Sequence, residues 1–253
     1  MRYLECAVML WQEGQIQALV TAPVTKWAIG AVLPSFTGQT EYLARAMKAR
    51  DVVMMFISDR LRVALLTRHL PLSGVARAID RELLGRAIRL VAHELRVHFR
   101  IPHPRLALCG LNPHAGEAGR CGTEEVRFMQ PVLRVLRREG LICDGPFAAD
   151  GFFACLRPRG FALRSKASGG RQAAAADRYD AVICAYHDQG LIPFKMLARD
   201  RGCQLSVGLP IVRTSPDHGS GLDIAGKGVA NPGSMRYALE LAIEISRSEI
   251  STC

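Results

Sequence analysis

Short apolar runs alternate with helical patterns along the chain, and this alternation is the strongest constraint on its fold. The runs that we interpret as strands are Gln17–Thr21, Val52–Ser58, Val63–Thr67, Arg105–Gly110 and Ala181–Tyr186. Apolar residues at helical spacing predict a helix over Asp80–His98, and a last helix is predicted over Met235–Ser246. Strands that alternate with helices in this way indicate an α/β fold.

Composition and charge exclude several classes of protein. No run of about eighteen apolar residues is present, so no segment is expected to span a membrane. The net charge is +10, but the aromatic content of 6% is too low and too dispersed for a base-stacking surface, so no nucleic-acid partner is expected. Eight cysteines without a C-x-x-C pair, in a chain of this length that shows no signal-peptide layout, indicate a reduced protein of the cytoplasm.

The residues that could carry chemistry fall in loops after predicted strands, where α/β proteins place their sites. Three such loops each contain one histidine: His69 in TRHLPL, His114 in CGLNPHAGE and His187 in AYHDQGL. Neutral imidazoles are favoured ligands of divalent metals, and three of them with an open position are typical of a catalytic centre. The sequence separations are long, so the pattern alone leaves a metal site and three structural histidines as equal alternatives.

Three further segments are polar and rich in turn-forming residues. FTGQTE, at residues 36–41, can wrap an oxyanion or simply cap a helix. HGSGLDIAGKGVANP, at residues 218–232, offers exposed amides that suit an adenosine diphosphate moiety, or forms an ordinary turn before the last helix. Residues 155–177 are basic and lack periodicity, which indicates an atypical surface insert.

Together these motifs resemble the 4-hydroxythreonine-4-phosphate dehydrogenase family of pyridoxal phosphate biosynthesis. The segments that carry the resemblance are TAPVTK, FTGQTEYLA, TRHLPL, CGLNPHAGE, AYHDQGL, GLPIVRTSPDHGS and DIAGKG. The likeness runs from about Tyr3 to about Ile245, apart from the insert. The glycine-rich segment also resembles the NAD-adenosine loop of isocitrate and isopropylmalate dehydrogenases, so the resemblance implies their two-lobed α/β fold.

The resemblance implies how the lobes divide the sequence. Residues 1–35 and 188–253 would form the remnant of a first lobe with the cofactor loop, and residues 36–187 a second lobe with the metal and dimer elements. Family members begin with a strand and a glycine-rich loop ahead of the point that Met1 matches, and Leu4–Val8 already has the pattern of the middle of a helix. An incomplete first lobe is therefore expected.

The resemblance also implies a set of site residues in a homodimer. His69, His114 and His187, drawn from both subunits, would bind a divalent metal such as Zn, Mg or Co. The implied substrate contacts are Gln39, Thr40, Lys195, Gln204 and Arg213. The implied NAD contacts are His218, Gly219, Ser220, Asp223, Ala225 and Asn231. The family has histidine at the position of Gln39 and asparagine at that of Gln204.

The implied reaction is the NAD-dependent, metal-assisted oxidation of the C3 hydroxyl of 4-phosphohydroxy-L-threonine to a 3-oxo acid that decarboxylates. Lys195 and Arg213 suit the anionic groups of this substrate. The proton acceptor would be Asp188 or Asp217, although each could instead orient a histidine. Because glutamine cannot carry charge at position 39, a dehydrogenase of threonate or erythronate 4-phosphate is the alternative, and a non-catalytic truncated remnant is another.

Overall fold

The computed structural model describes residues 2–156 and 179–250 and divides the chain into two units. We call Met1–Val52 with Asp200–Cys253 the terminal unit, and Val53–Arg199 the central unit. The lobe limits expected from the sequence, at residues 35/36 and 187/188, fall earlier in the chain, and the lobe assignment stays a prediction. Most of the expected insert, residues 157–177, lies outside the described residues.

Strands and helices alternate through most of the sequence. The strands are β1 (Ala18–Val20), β2 (Val53–Ser58), β3 (Arg62–Leu65), β4 (Arg105–Cys109), β5 (Ile142–Phe147), β6 (Ala181–Cys184), β7 (Gly202–Val207) and β8 (Val212–Pro216). The α-helices are α1 (Arg2–Gln12), α2 (Lys26–Val32), α3 (Gln39–Ala46), α4 (Leu72–Ala78), α5 (Arg81–Val97), α6 (Gln130–Arg138), α7 (Ala149–Ala154), α8 (His187–Ala198) and α9 (Gly233–Ile250). A π-helical turn, Glu125–Met129, leads directly into α6, and 3-10 turns occupy Pro113–Gly119 and Leu222–Ile224. Among the described residues, no helix combines the length and the apolarity needed to cross a membrane.

In the terminal unit, β8 is the middle strand of three. It pairs with β1 in parallel and with β7 in the antiparallel sense, and α9 packs against these strands. A second apolar cluster forms where α1 meets α3, around Leu4, Val8 and Leu43. Every residue of β8 is buried although its sequence is VRTSP, so its polar side chains need hydrogen-bond partners inside the unit.

In the central unit, the strand order is β2-β3-β6-β4-β5, and all pairs except β2 with β3 are parallel. Helix α5 begins at a capped end, where the Asp80 carboxylate accepts a hydrogen bond of 2.7 Å from the Leu83 amide. Its buried face includes Leu84, Ile88 and Leu95. Because β3, β6 and β4 are parallel neighbours, their carboxyl ends lie side by side at one edge of the sheet.

The strands predicted from apolar runs are confirmed as β1, β2, β3, β4 and β6, each within a few residues, and the helices over Asp80–His98 and Met235–Ser246 are confirmed as α5 and most of α9. Strands β5, β7 and β8 were not predicted from the sequence. Strand β5 contains Gly145 and Pro146, which normally argue against a strand. Strands β7 and β8 carry polar residues on buried faces, so they lack the apolar pattern by which a buried strand is recognised.

Candidate active site

The three histidine loops follow three adjacent parallel strands of the central unit. His69 lies four residues after β3, His114 lies in the turn after β4, and His187 opens α8 after β6. The imidazole rings of His69 and His187 have their centroids 6.0 Å apart. The sheet therefore brings together residues that are more than a hundred positions apart in the sequence.

A carboxylate holds the ring of His187. Its Nδ1 lies 2.6 Å from Oδ1 of Asp188, and both side chains are substantially exposed. A carboxylate that accepts from Nδ1–H leaves the lone pair of Nε2 available, which is the usual arrangement of a histidine that binds a metal. The structure thus places Asp188 where it orients a predicted ligand.

His114 lies in a turn of unusual backbone geometry. The residues from His114 to Ala118 all have positive φ, between 43° and 78°. The loop also lines a cavity of about 590 Å³, and the cavity's other walls come from α7 and α8. Residues that line this cavity include Asn112, His114, Phe153, Tyr186, Asp188, Gln189 and Met196.

The donor set of His69, His187 and Asp188 fits a divalent metal. Two imidazoles are neighbours, and one of them has a carboxylate on its second nitrogen, as zinc and cobalt sites commonly do. Within the described residues of a single chain, no three His, Cys, Asp or Glu side chains form a group that could hold a metal ion. The implied sharing of the three histidines between two subunits stays a prediction.

In the terminal unit, the predicted substrate residues surround one buried guanidinium. Arg213 on β8 is 3% exposed, and both of its terminal nitrogens donate hydrogen bonds to side-chain oxygens. Nη1 donates to Gln204 Oε1 (2.5 Å), Ser206 Oγ (3.1 Å) and Thr40 Oγ1 (3.2 Å). Nη2 donates to Thr21 Oγ1 (2.6 Å) and Gln39 Oε1 (3.4 Å).

The partners of Arg213 are neutral, which makes this an unusual place for a charge. Burial lowers the pKa of Arg213 to about 10, although Glu41 and Tyr3 act at longer range to raise it. Its Nε is buried and has no hydrogen-bond partner among the described residues. A buried cation that donates its hydrogen bonds to hydroxyl and amide oxygens favours an anion nearby.

The two glutamines are held so that their oxygens face Arg213. Nε2 of Gln39 donates to the carbonyl of Ala22 at 3.0 Å, and Nε2 of Gln204 donates to Ser206 Oγ at 3.0 Å. Each amide group therefore has a fixed orientation, with its acceptor on the guanidinium.

The structure thus joins Gln39, Thr40, Gln204 and Arg213, while Lys195 lies exposed on α8 of the central unit. Sequence reasoning missed two members of this cluster, Thr21 and Ser206. Thr21 is the first residue of the TAPVTK motif, which carries part of the family resemblance but suggested no role for Thr21. Ser206 has the same side-chain direction as Gln204 two residues earlier on β7, which is the period of a strand.

Asp217 is tied to the start of α9. Its amide donates to Ser234 Oγ at 3.0 Å, and its carboxylate Oδ1 lies 2.8 Å from the same hydroxyl. Ser234 is buried and also contacts the carbonyl of Gly202 at 2.6 Å. These contacts make Asp217 an anchor for the helix that follows the predicted cofactor loop.

The predicted cofactor residues lie on an exposed loop. All six predicted NAD contacts are solvent-exposed: His218, Gly219, Ser220, Asp223, Ala225 and Asn231. Thr25 Oγ1 lies 3.3 Å from Ser220 Oγ, and Gly221, Gly226 and Gly228 adopt the left-handed conformation. The loop leaves its polar groups open to a ligand, and its role in NAD binding stays a prediction.

Comparison with solved structures first defines the fold. Isocitrate dehydrogenase from Methylococcus capsulatus shares the fold, with a TM-score of 0.51 and 16% identity over 89% of this chain and 67% of that one. The expected α/β fold of the isocitrate dehydrogenase type is therefore confirmed.

Two crystal structures are much more similar, and both are of 4-hydroxythreonine-4-phosphate dehydrogenases. The one from Klebsiella pneumoniae has a TM-score of 0.79 and 33% identity, covering 97% of this chain and 68% of that one. The one from Burkholderia phymatum has a TM-score of 0.73 and 38% identity, covering 96% and 68%. The sequence model of the family described as pyridoxal phosphate biosynthetic protein PdxA matches residues 1–242. The chain belongs to this family, and its class is that of the dehydrogenases, as the motifs predicted.

Proposed function

We propose that the chain oxidises the C3 hydroxyl of 4-phosphohydroxy-L-threonine with NAD, giving a 3-oxo acid that then loses CO2. The observation that carries the proposal is the buried guanidinium of Arg213, which donates to hydroxyl and amide oxygens inside the predicted substrate cluster. Family membership and the two similar dehydrogenases support the same reaction. In the oxidation, a hydride leaves C3 for NAD, and the hydroxyl proton goes to a base.

Substrate binding falls to Arg213 and its neighbours. Thr40 and Thr21 contribute hydroxyls that can turn from the guanidinium towards an incoming phosphate or carboxylate oxygen. Arg213 supplies charge-assisted hydrogen bonds to that anion, and Lys195 supplies a second cation. Gln39 and Gln204 hold the guanidinium in place and add no charge of their own.

His69, His114 and His187 would hold a divalent cation such as Zn, Mg or Co. When bound, this metal would act as a Lewis acid that lowers the pKa of the C3 hydroxyl. Asp188 keeps the proton of His187 on Nδ1 and so presents Nε2 as a ligand. The candidates for accepting the proton of the C3 hydroxyl are Asp188, Asp217 and Lys195.

The exposed loop of residues 218–231 would hold the adenosine part of NAD, which accepts the hydride when bound. His218, Gly219, Ser220, Asp223, Ala225 and Asn231 are the proposed contacts. The left-handed glycines Gly221, Gly226 and Gly228 let the backbone approach a ligand closely. Asp217 fixes one end of this loop through Ser234.

Turnover with defined substrates tests the proposal. NADH formation would be measured with 4-phosphohydroxy-L-threonine, with its unphosphorylated form, and with threonate and erythronate 4-phosphates. We expect the highest kcat/KM with the first compound and almost none without the phosphate. Preference for threonate or erythronate 4-phosphate would favour the alternative reaction, which Gln39 and Gln204 support. Folded, metal-loaded protein that oxidises none of the four would contradict the proposal and indicate a non-catalytic protein.

We further propose a homodimer in which His114 and His187 of one metal site come from different subunits. Membership of the family, for which the resemblance implies a metal site shared between two subunits, supports this. His114→Ala and His187→Ala, each inactive alone, would be mixed under conditions that exchange subunits. The mixed dimer should regain one intact site and part of the parent activity. Mixing without any recovery, when exchange is shown by mass spectrometry, would contradict the shared site.

We place this enzyme in the cytoplasm. The seven cysteines in the described residues are free thiols, and four of them, Cys109, Cys143, Cys184 and Cys203, are buried. Free thiols are typical of a reducing compartment. Fractionation of the source cells, with the chain detected by antibody, tests this placement.

A further inference from the structure

Glu125 is a fully buried carboxylate next to the turn that carries His114. It opens the π-helical turn Glu125–Met129 and has a relative exposure of 0%. Its Oε1 accepts a hydrogen bond of 2.8 Å from the amide of Asn112, and its Oε2 accepts one of 2.9 Å from Asn112 Nδ2. A buried carboxylate is unfavourable unless hydrogen bonds satisfy it, so its place here calls for an explanation.

The backbone of the His114 turn closes around this carboxylate. A Cβ atom added to Gly110 would lie 3.1 Å from Glu125 Oε1, and one added to Gly116 would lie 2.6 Å from Oε2. Gly116 must therefore be glycine for the turn to approach the carboxylate so closely, and a side chain at Gly110 would also meet the Ala115 Cα at 2.9 Å. The turn is shaped to enclose Glu125 as well as to present a histidine.

The turn itself is in a conformation that L-residues avoid. His114, Ala115, Glu117 and Ala118 have φ between 43° and 55°, where a side chain meets steric repulsion. Such conformations persist only when the surrounding structure enforces them. The two hydrogen bonds from Asn112 to Glu125 hold the start of the turn, and the amide of Cys121 donates to the carbonyl of Gly116 at its far end.

We propose that Glu125 is a positioning residue whose buried carboxylate fixes the left-handed turn and thereby aims the imidazole of His114 at its metal. The part of this inference that concerns the metal rests on the proposed function. The part that concerns the turn rests on the geometry alone. Glu125 also opens a π-helical turn, a feature that recurs at functional sites.

The test compares Glu125→Gln with Glu124→Gln. Glutamine at 125 keeps the shape but replaces one acceptor oxygen by a donor, which faces the donors of Asn112. Glu124 also accepts from Asn112 Nδ2, at 2.8 Å, so its variant removes a neighbouring carboxylate and leaves both hydrogen bonds to Glu125 intact. Asn112→Ala is a milder second variant, since it removes the side-chain hydrogen bond and keeps the backbone one.

Two measurements separate positioning from general stability. In metal-free protein, hydrogen exchange of the peptide covering residues 110–121 should become at least about tenfold faster in Glu125→Gln, with exchange over Val53–Leu65 unchanged. The Zn²⁺ dissociation constant, measured by chelator competition well below the unfolding temperature, should rise about tenfold. Glu124→Gln should resemble the parent, and Asn112→Ala should fall between the two.

Each outcome decides a separate question. Exchange and zinc affinity equal to the parent in Glu125→Gln would overturn the proposal, and so would faster exchange spread evenly over the central unit. If Glu125→Gln does not fold, Asn112→Ala decides by the same criteria. If the parent binds none of Zn²⁺, Co²⁺ and Mg²⁺, the proposed metal site fails, while the exchange of the turn still tests the role of Glu125.

Discussion

Gln189 donates a hydrogen bond of 2.7 Å from its side-chain amide to the backbone carbonyl of Gly110. Its Oε1 accepts a second bond of 2.7 Å from the amide of Ala185, and Thr67 Oγ1 donates to the carbonyl of Ala185, also at 2.7 Å. Thr67 precedes the His69 loop, Gly110 begins the His114 loop, and Ala185 leads to His187. A continuous set of hydrogen bonds therefore joins the three histidine loops of the central unit.

The first prediction concerns this bridge. Gln189→Glu keeps the size of the side chain but removes the donor, so a carboxylate oxygen faces the carbonyl of Gly110. We expect the free energy of unfolding to fall by about 1–3 kcal/mol, because a hydrogen-bonded acceptor loses its donor. We also expect Zn²⁺ affinity to fall about tenfold, as is common when groups that orient ligands are lost. Urea unfolding and chelator competition measure the two effects.

Gln130→Glu makes the same chemical change at an exposed position of α6 and serves as the control. It should leave stability within about 0.5 kcal/mol of the parent and zinc affinity unchanged. If Gln189→Glu behaves like this control, the bridge does not hold the loops.

The second prediction concerns Arg213. Arg213→Lys keeps a positive charge but replaces a planar fork of donors by a single ammonium group, which cannot reach both Gln204 and Thr21. We expect KM for the phosphorylated substrate to rise at least about tenfold, since a charge-assisted hydrogen bond contributes about 1.5–3 kcal/mol. Steady-state kinetics measures this.

Arg45→Lys is the matched control for this substitution. Arg45 lies exposed on α3 in the same unit and makes one hydrogen bond of 3.3 Å to the carbonyl of Ser35. Its variant should keep the KM of the parent. An unchanged KM in Arg213→Lys as well would mean that this guanidinium does not bind the substrate.

The sequence predicted those parts of the site that follow apolar strands and not those on strands with polar side chains. Apolar runs located β3, β4 and β6, and with them the loops of His69, His114 and His187, because strands buried on both faces have few polar residues. The same criterion could not find β8, whose Arg213 is buried among hydroxyls and amides and has no apolar signature. Arg213 was identified from the family resemblance, because hydrophobic periodicity gives no signal for β8.

In the central unit, Glu125 and Gln189 were not found from the sequence because they act largely through backbone groups. Glu125 and Gln189 bond to the main chain of Asn112, Ala185 and Gly110, and such contacts depend on where distant loops meet. Nothing in the local pattern of a glutamate between Glu124 and Val126 distinguishes a buried acceptor from an exposed charge. Only the closed turn, with glycine at both points of contact, shows the difference.

The third prediction follows from the orientation of Gln39. Its amide donates to the carbonyl of Ala22 and accepts from Arg213. A neutral histidine at this position also has one donor and one acceptor and can replace both contacts, whereas a protonated histidine has two donors and meets Arg213 with a like charge. The folded state therefore lowers the pKa of a histidine here.

A lowered histidine pKa has a definite sign for stability. The unfolded chain binds the proton more readily, so Gln39→His should match the parent near pH 8 and lose stability relative to it as pH falls through the ordinary histidine range, near pH 6.5. Urea unfolding of both proteins between pH 5 and pH 8 measures the difference. Gln204→Asn, which introduces no titrating group, is the control, and a pH-independent difference for Gln39→His would contradict the argument.

The fourth prediction concerns a buried phenol in the central unit. The hydroxyl of Tyr179 donates to Asp144 Oδ2 at 3.1 Å, and burial together with the charge of Asp144 raises the pKa of Tyr179 to about 12. An unfolded tyrosine ionises near pH 10, so between pH 10 and pH 12 the folded chain holds a proton that the unfolded chain has lost. Stability is therefore complete below pH 10 and decreases as the pH rises towards 12.

Tyr179→Phe removes both the hydrogen bond and the titration. Near pH 8 the variant should be about 1 kcal/mol less stable than the parent, because the hydrogen bond is lost. Above pH 10 the difference should shrink, since only the parent loses stability by ionisation of residue 179. Urea unfolding between pH 8 and pH 11 measures this, with Tyr186→Phe as the control for removal of a phenol elsewhere in the same unit. A difference that stays constant over this range would mean that Tyr179 ionises at the same pH in the folded and unfolded chain.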